Sequence, residues 1–143
     1  AISAYNKVGI ESGATAATPH KLIAMLFQGA LLAVANAKNS MLRKDTPAKG
    51  KSISHAIAII GEGLHASLDK KVGGELAQNL AALYDYMTMR LVAANLNNDI
   101  AALDEVTRLL TELKGAWESI NPNTATTSAP VVRSTATPTL AYA

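Results

Sequence analysis

The segment from Gly73 to Asp99 constrains the fold most strongly, because it carries two separate apolar rows at helical spacing. The first row recurs at alternating steps of three and four residues, which places its side chains on one face of an α-helix. It consists of Leu76, Leu80, Leu83, Met87, Leu91 and Ala94. A second row lies about a quarter turn or more away, where a surface helix normally carries charge. It consists of Met89, Val92 and Leu96, with Tyr86 at its border. The first row predicts a core face, and the second predicts a docking surface.

Two further helices are predicted before this segment. Thr18 followed by Pro19 is typical of a helix start, because Thr can cap a free amide and Pro has none to leave unpaired. The first helix is therefore expected from Pro19 to about Leu42. Residues 43–50 read as a polar turn, and the second helix is expected from there to about Leu68. Its inward side chains would be Ile53, Ile57, Ile60, Leu64 and Leu68.

The third helix is expected to follow a turn at residues 70–74 and to end near Asn98, after which Asp99 caps the fourth. The fourth helix has the most regular apolar row in the chain: Leu103, Val106, Leu110, Leu113, Trp117 and Ile120. Four helices of about 22 residues joined by short turns predict an all-α, antiparallel up-down four-helix bundle. It would span residues 18–120, preceded by an arm at 1–17 and followed by a flexible tail at 121–143 that is rich in Ser, Thr, Pro and Ala.

Composition narrows the possible functions. The chain has 143 residues, enough for one domain, and its formal net charge of +2 is too balanced for a nucleic-acid-binding surface. It has no cysteine, which is consistent with a reducing compartment. No continuous run of about 18 apolar residues occurs, so membrane insertion is not expected. These observations predict a soluble, cytoplasmic protein.

Motifs for catalysis or metal binding are incomplete. Glu62 and His65 have the spacing of an iron-binding Glu-x-x-His pair, but such a site needs this motif on two helices and the chain has it once. Gly61, Gly63 and Ala66 resemble part of a dinucleotide fingerprint, yet they lie inside a predicted helix with no strand before it. The remaining carboxylates fall on turns and polar faces. The sequence therefore predicts no enzyme activity, no metal and no cofactor.

Charged residues leave two interpretations open. Several basic side chains gather at one end of the expected bundle: Lys38, Arg43, Lys44, Lys49 and Lys51. They are interpreted mainly as solvated charge near a helix C-terminus, and contact with an acidic patch of a partner is the alternative. Arg90 lies within the apolar part of the third helix. Its guanidinium could bind a partner's carboxylate or carbonyls, or form an internal pair with Asp104 or Glu105.

Several groups of residues form a combined pattern that is more specific than any one of them. The third helix contributes Gly73-Gly74-Glu75-Leu76-Ala77, Asn79-Leu80, Leu83-Tyr84-Asp85-Tyr86-Met87, Arg90-Leu91 and Ala94-Asn95. Other parts contribute Tyr5, Thr18-Pro19-His20-Lys21-Leu22-Ile23, Met25-Leu26-Phe27-Gln28-Gly29-Ala30-Leu31, Leu103-Asp104-Glu105-Val106 and Trp117. Together they resemble the FliS family of flagellar export chaperones from about Tyr5 to Ile120. The chain departs from the family's usual residues at Phe27-Gln28 and at Met89.

The resemblance implies a cytoplasmic four-helix bundle that binds the C-terminal segment of flagellin, prevents its premature polymerisation and delivers it to the flagellar type III export apparatus. It implies no catalysis and no cofactor. In the family, an N-terminal tyrosine arm is thought to cover part of the binding surface when flagellin is absent, a role that would fall to Tyr5 here. A second partner on another face, such as an export-gate component or a flagellar regulator, stays open.

The expected partner-binding residues are Tyr5, Ile23, Phe27, Leu31, Tyr84, Tyr86, Met89, Arg90, Val92 and Leu96. Packing within the protein is the competing interpretation for each of them. The spacing favours core packing for Leu83, Tyr84 and Met87, and it favours partner contact for Met89, Val92 and Leu96. Two other classes of protein are considered: a homo-oligomeric helical structural or adaptor protein, and a carboxylate-bridged metalloenzyme.

Overall fold

A computed structural model of the protein describes residues 18–120, which form four helices and short connections. Helix α1 is Pro19–Leu42, α2 is Thr46–Ala58, α3 is Lys70–Asn97 and α4 is Ile100–Ser119. A π-helical segment, Ile59–His65, continues α2 without interruption. The predicted all-α four-helix fold is confirmed. The predicted arm with Tyr5 and the predicted tail lie outside the described residues.

Each helix begins with a side chain that caps its first turn. The caps are Thr18, Asp45, Asp69 and Asp99, and each accepts a hydrogen bond from a backbone N–H two or three residues further on. These bonds satisfy amides that have no carbonyl partner within the helix. The predicted caps Thr18 and Asp99 are thus in place, and Asp45 and Asp69 add two that the sequence analysis did not identify.

The predicted start of α2 was wrong by about one turn. Residues 43–50 were expected to form a polar turn because they contain Pro47, but α2 already begins at Thr46. Asp45 caps it by accepting a hydrogen bond from the Ala48 amide at 3.2 Å. Pro47 then occupies the first turn, where its missing N–H leaves no donor unpaired.

The predicted end of the second helix was also wrong, because the chain changes to π-helical geometry at Ile59 and leaves it after His65. The Ala66 amide accordingly donates to the Gly61 carbonyl, five residues back, at 3.2 Å. Gly63 is buried in this segment, and a Cβ there would lie 3.0 Å from Cδ2 of Leu26. Close approach to α1 is therefore the structural reason for Gly63.

Helix α3 contains a break near its beginning. Residues 70–74 were expected to form a turn; instead they form a first helical turn that stops at Gly74, whose φ of 56° and ψ of −130° favour glycine. After the break, Met87, Leu91 and Ala94 are buried as predicted. In the N-terminal half the buried residues are Ala77, Ala81 and Tyr84, while Leu76, Leu80 and Leu83 are half-buried at the flank.

The four helices surround one core. Helix α1 packs against α2 and α4, and α3 packs against α4 and against α2 with its π-helical continuation. Helix α4 contributes the buried side chains Leu103, Val106, Leu110 and Leu113, as its regular row predicts. Short connections between successive helices make this arrangement the antiparallel up-down bundle.

Helix α1 has the bounds that the sequence predicted, Pro19–Leu42, and is apolar over much of its length. By length and composition it meets the criteria for a membrane-spanning helix, although it contains no continuous run of about 18 apolar residues. The same criteria are met by core helices of water-soluble proteins. The inward side of α1 is used for packing in the bundle through Leu26, Phe27, Ala30, Ala33, Val34 and Ala37.

Two of the basic residues expected as solvated charge make specific contacts instead. Lys49 is only 5% exposed, and its Nζ donates to the Asn95 carbonyl at 3.0 Å and to Asn98 Oδ1 at 2.7 Å. It therefore satisfies acceptors at the C-terminal end of α3. Lys38 forms an ion pair with Asp104 of α4 at 2.8 Å.

Candidate partner-binding surface

The structure separates the predicted partner-binding residues into two groups along α3. Tyr86, Met89, Arg90, Val92 and Leu96 lie on or beside the outer face of its C-terminal half. Ile23, Phe27 and Tyr84 line a cavity at the end of the bundle where α3 begins. Leu31 belongs to neither group: it is half-buried and packs against the core.

The outer face carries three apolar side chains without cover in the described structure: Met89, Val92 and Leu96, which we call the α3 strip. Their exposed fractions are 68%, 44% and 76%. They follow one another at steps of three and four residues, so they form one continuous ridge. Tyr86 borders the strip and is 39% exposed. An amphipathic partner could bury this ridge without any rearrangement of the core.

Arg90, beside the α3 strip, is paired within the protein. Its Nε donates to Oε1 of Glu105 on α4 at 2.7 Å, while the Tyr86 hydroxyl donates to Oε2 of the same carboxylate at 2.6 Å. This settles which internal partner Arg90 takes, because the other candidate, Asp104, is paired with Lys38. Glu105 thereby joins α3 to α4 and fixes both side chains that flank the strip.

The three groups shift one another's protonation equilibria. Hydrogen bonds from Tyr86 and then Arg90 hold the pKa of Glu105 below its usual value, because both donors favour the carboxylate. The hydrogen bond to Glu105 raises the pKa of Tyr86 and also that of Arg90. At neutral pH the arrangement is therefore one carboxylate, one guanidinium and one neutral phenol.

The cavity at the other end of α3 has a volume of about 240 Å³. Its lining comes from α1, α3 and α4, from the π-helical segment, and from the connection between that segment and α3. The lining residues are Ile23, Phe27, Leu64, Ser67, Leu68, Asp69, Val72, Gly73, Leu76, Ala77, Leu80, Tyr84, Leu113, Ala116 and Trp117. Most of these side chains are apolar. Such a cavity suits an apolar side chain of a partner better than a polar ligand.

The predicted residues at this cavity differ in accessibility. Phe27 and Tyr84 are only 3% and 4% exposed, so each contributes to the core and offers the cavity a small part of its ring. Burial raises the pKa of Tyr84 to about 12, because the phenolate would lose its hydration. Ile23 is half-buried and more accessible.

A contact that the sequence analysis did not identify closes the bundle beside the cavity. His20 Nε2 lies 2.9 Å from the Trp117 carbonyl, and Trp117 Nε1 donates to the His20 carbonyl at 2.8 Å. The two rings are stacked, with centroids 4.9 Å apart and planes inclined by 15°. This reciprocal pair ties the start of α1 to the last turn of α4. The only sequence signal was a His at the start of one helix and a Trp near the end of another.

Candidate metal ligands do not converge in the part of the chain that the structure describes. No group of three or more His, Cys, Asp or Glu side chains lies close enough to hold an ion there. Glu62 is exposed, and His65 instead faces Asp85 on α3, with 3.5 Å between Nε2 and Oδ1. The surface offers apolar contact and a few fixed charges.

Comparison with known proteins gives consistent matches over most of the sequence. The family model described as "Flagellar protein FliS" matches residues 1–124. The "Flagellar secretion chaperone FliS" of Salmonella typhimurium is 49% identical over 121 residues, which is 85% of this chain and 90% of that protein. The "Flagellar secretion chaperone FliSB" of Pseudomonas aeruginosa is 49% identical over 121 residues, covering 85% and 95%. The FliS of Bacillus subtilis is 34% identical over 108 residues, covering 76% and 79%.

Proposed function

Because this chain belongs to the FliS family and is similar over most of its length to flagellar secretion chaperones, we propose that it binds the C-terminal segment of flagellin. In this proposal it acts in the cytoplasm, keeps the bound segment from polymerising early and delivers flagellin to the flagellar type III export apparatus. Binding and release need no catalytic step, since a competing partner can displace the segment by mass action.

The observation that supports this proposal best is the α3 strip. Met89, Val92 and Leu96 are exposed on a helix whose opposite side is fully used in the core. Contiguous apolar surface of this kind usually marks a protein-interaction site. A flagellin segment that is unfolded before export can form an amphipathic helix and bury its apolar row against the α3 strip. Amphipathic helices bind apolar protein surfaces in this way in many complexes.

The end cavity extends the proposed binding surface along the same helix. Leu80, in its lining, precedes Met89 by nine residues, which corresponds to about 14 Å along the axis of α3 at a rise of about 1.5 Å per residue. A partner segment of roughly 20 residues spans about 30 Å as a helix. Nine residues are also about two and a half helical turns, so Leu80 and Met89 lie on opposite sides of α3. A single segment that covers the strip and fills the cavity beside Ile23 must therefore bend around the bundle.

The test is suppression of flagellin polymerisation, followed by light scattering after mixing flagellin with the chaperone at equal concentration. The unsubstituted protein is expected to delay or abolish filament growth. A Met89→Ser/Leu96→Ser variant should lose much of this effect. The matched control is Leu32→Ser/Leu42→Ser, which changes two α1 side chains that are 58% and 60% exposed and should leave the effect intact.

Three results would contradict the proposal. Unchanged polymerisation with the unsubstituted protein would refute the flagellin-binding function. Equal loss of activity in both double variants would show that general surface polarity, and not the α3 strip, controls the effect. Self-association through the strip would be favoured if the free protein changed from monomer to dimer as its concentration rises while the Met89→Ser/Leu96→Ser variant stayed monomeric.

A further inference from the structure

The seam between α3 and α4, next to the α3 strip, carries guanidinium N–H donors that its internal ion pair does not use. Arg90 donates only through Nε within residues 18–120, so its terminal nitrogens make no hydrogen bond there. Arg108 lies one turn beyond Glu105 on α4, is exposed, and forms no ion pair within the same residues. Two guanidinium groups therefore lie near Glu105, and only Arg90 is paired with it.

The Arg90 guanidinium is held in position before any partner arrives. Glu105 accepts from Arg90 at 2.7 Å and from Tyr86 at 2.6 Å, so both carboxylate oxygens are engaged. The guanidinium is planar and its donors are fixed relative to one another. Anchoring Nε therefore also fixes the direction of the remaining N–H groups, which lowers the entropy lost when they bind an acceptor.

We propose that the terminal nitrogens of Arg90 and the guanidinium of Arg108 together receive a carboxylate of the bound segment, an Asp or Glu side chain that flanks its apolar row. This inference rests on the proposed function and adds the charge that the partner must carry. Arg90 follows Met89 directly in the chain, so an acidic side chain would reach the site while the apolar row covers the strip. Glu105 and Tyr86 are positioning residues, since they act through Arg90.

Charge complementarity favours a carboxylate over other polar groups. Guanidinium groups bind carboxylates through paired, charge-assisted hydrogen bonds, which are stronger than bonds to neutral acceptors. Two of the other carboxylates near this part of the bundle are already engaged: Asp104 is paired with Lys38, and Asp99 caps α4. Glu112, one turn beyond Arg108 on α4, is exposed and forms no ion pair within residues 18–120. A partner carboxylate would give the unused guanidinium donors of Arg90 and Arg108 an acceptor.

The test is calorimetric binding of a peptide with the sequence of the flagellin C-terminal segment at low and high salt concentration. Arg108→Gln should weaken binding by about threefold to fivefold at low salt, the range of an exposed ion pair. The loss should shrink at high salt, because salt screens exposed charges. Arg108→Glu should weaken binding further. The matched control is Lys51→Gln, which removes one positive charge from exposed α2 surface and should have no effect beyond error.

A double-mutant cycle identifies the partner side chain. Each Asp or Glu of the peptide is replaced in turn by Asn or Gln and titrated against the unsubstituted protein and Arg108→Gln. Replacing one acidic position should cost clearly less affinity with Arg108→Gln than with the unsubstituted protein, because only Arg90 then contacts that carboxylate. Binding that is equally tight for Arg108→Gln and Lys51→Gln, or a cycle without coupling at any position, would overturn the carboxylate site alone. Absence of binding by the unsubstituted protein would overturn the proposed function, and this site with it.

Discussion

Two leucines on the same helix give the sharpest test of how α3 divides its two faces. Leu91 has no exposed surface, whereas Leu96, five residues later, is 76% exposed. Replacing each by Ala removes the same atoms from two different environments. Leu91→Ala should lower the free energy of unfolding by about 2–5 kcal/mol, because it removes buried contacts and leaves a cavity. Leu96→Ala should change it by less than about 0.5 kcal/mol, as for other surface positions.

The order should reverse for partner binding. Burying a whole Leu side chain is worth about 1.5–3 kcal/mol, and three quarters of Leu96 is free to become buried. The expected loss for Leu96→Ala is therefore about 1–2 kcal/mol, or roughly a 5- to 30-fold increase in Kd. Leu91→Ala should bind with unchanged Kd under conditions where it remains folded, since Leu91 offers the partner no surface.

Urea unfolding followed by circular dichroism gives the two stabilities, and calorimetric titration with the flagellin segment gives the two affinities. The reasoning is refuted if Leu96→Ala loses more than about 2 kcal/mol of stability, because an exposed Leu cannot contribute that much. It is also refuted if Leu96→Ala binds as tightly as the unsubstituted protein, because the C-terminal part of the α3 strip would then lie outside the interface.

Three further predictions concern the rest of the bundle. His20→Ala should cost about 1–2 kcal/mol in urea unfolding, since it removes one hydrogen bond and the stacking on Trp117; no loss would show that the His20 contact contributes nothing. Gly61→Ala should raise the unfolding free energy by about 0.5–1 kcal/mol, because the added Cβ meets no neighbouring element within 4 Å. Gly63→Ala should raise it by less, because its Cβ would lie 3.0 Å from Leu26. An equal gain at both positions would contradict the close packing at Gly63. The pKa of Tyr84 is raised to about 12, above its value of about 10 in the unfolded chain, so its contribution to stability is complete below about pH 10 and is lost as pH rises towards 12. Tyr84→Phe should therefore lose less stability than the unsubstituted protein over that range, and equal losses would contradict the effect of burial.

The sequence predicted those parts of the fold that depend on local signals. Thr18 and Asp99 are caps next to apolar rows, and both helices begin where these residues indicate. The α4 row needs only helical spacing, and its buried members match it. The start of α2 was predicted wrongly because of Pro47, since proline occurs in turns as readily as in the first turn of a helix. Asp45 distinguishes the two possibilities because it caps the helix, but an Asp is recognised as a cap only where a helix start is already expected.

Other features could not be predicted because they depend on contacts between distant segments. The π-helical geometry of Ile59–His65 accompanies packing of Gly63 against Leu26, which no local pattern encodes. Lys49 is buried although lysine usually stays exposed, because its ammonium group donates hydrogen bonds to the Asn95 carbonyl and the Asn98 side-chain oxygen at the end of α3. The sequence left Asp104 and Glu105 as equal candidates for Arg90, and only the path of Lys38 across to α4 separates them.

The candidate surface was likewise predicted only where it depends on local sequence pattern. Periodicity predicted that Met89, Val92 and Leu96 lie off the core face, and they are exposed. Periodicity could not show that Phe27 and Tyr84 line the same cavity at the end of the bundle, because that depends on how the packed bundle places α1 relative to α3. The role of each residue in partner binding remains a prediction.

Isothermal titration calorimetry of the unsubstituted protein against the C-terminal segment of its own organism's flagellin, at several temperatures, tests the central claim most directly. The account predicts saturable one-to-one binding and a negative heat-capacity change of a few tenths of a kcal/mol/K, since about 0.45 cal/mol/K accompanies each Å² of apolar surface. Absence of binding at high micromolar concentration would contradict the flagellin-binding function. Binding without a measurable heat-capacity change would contradict burial of the α3 strip.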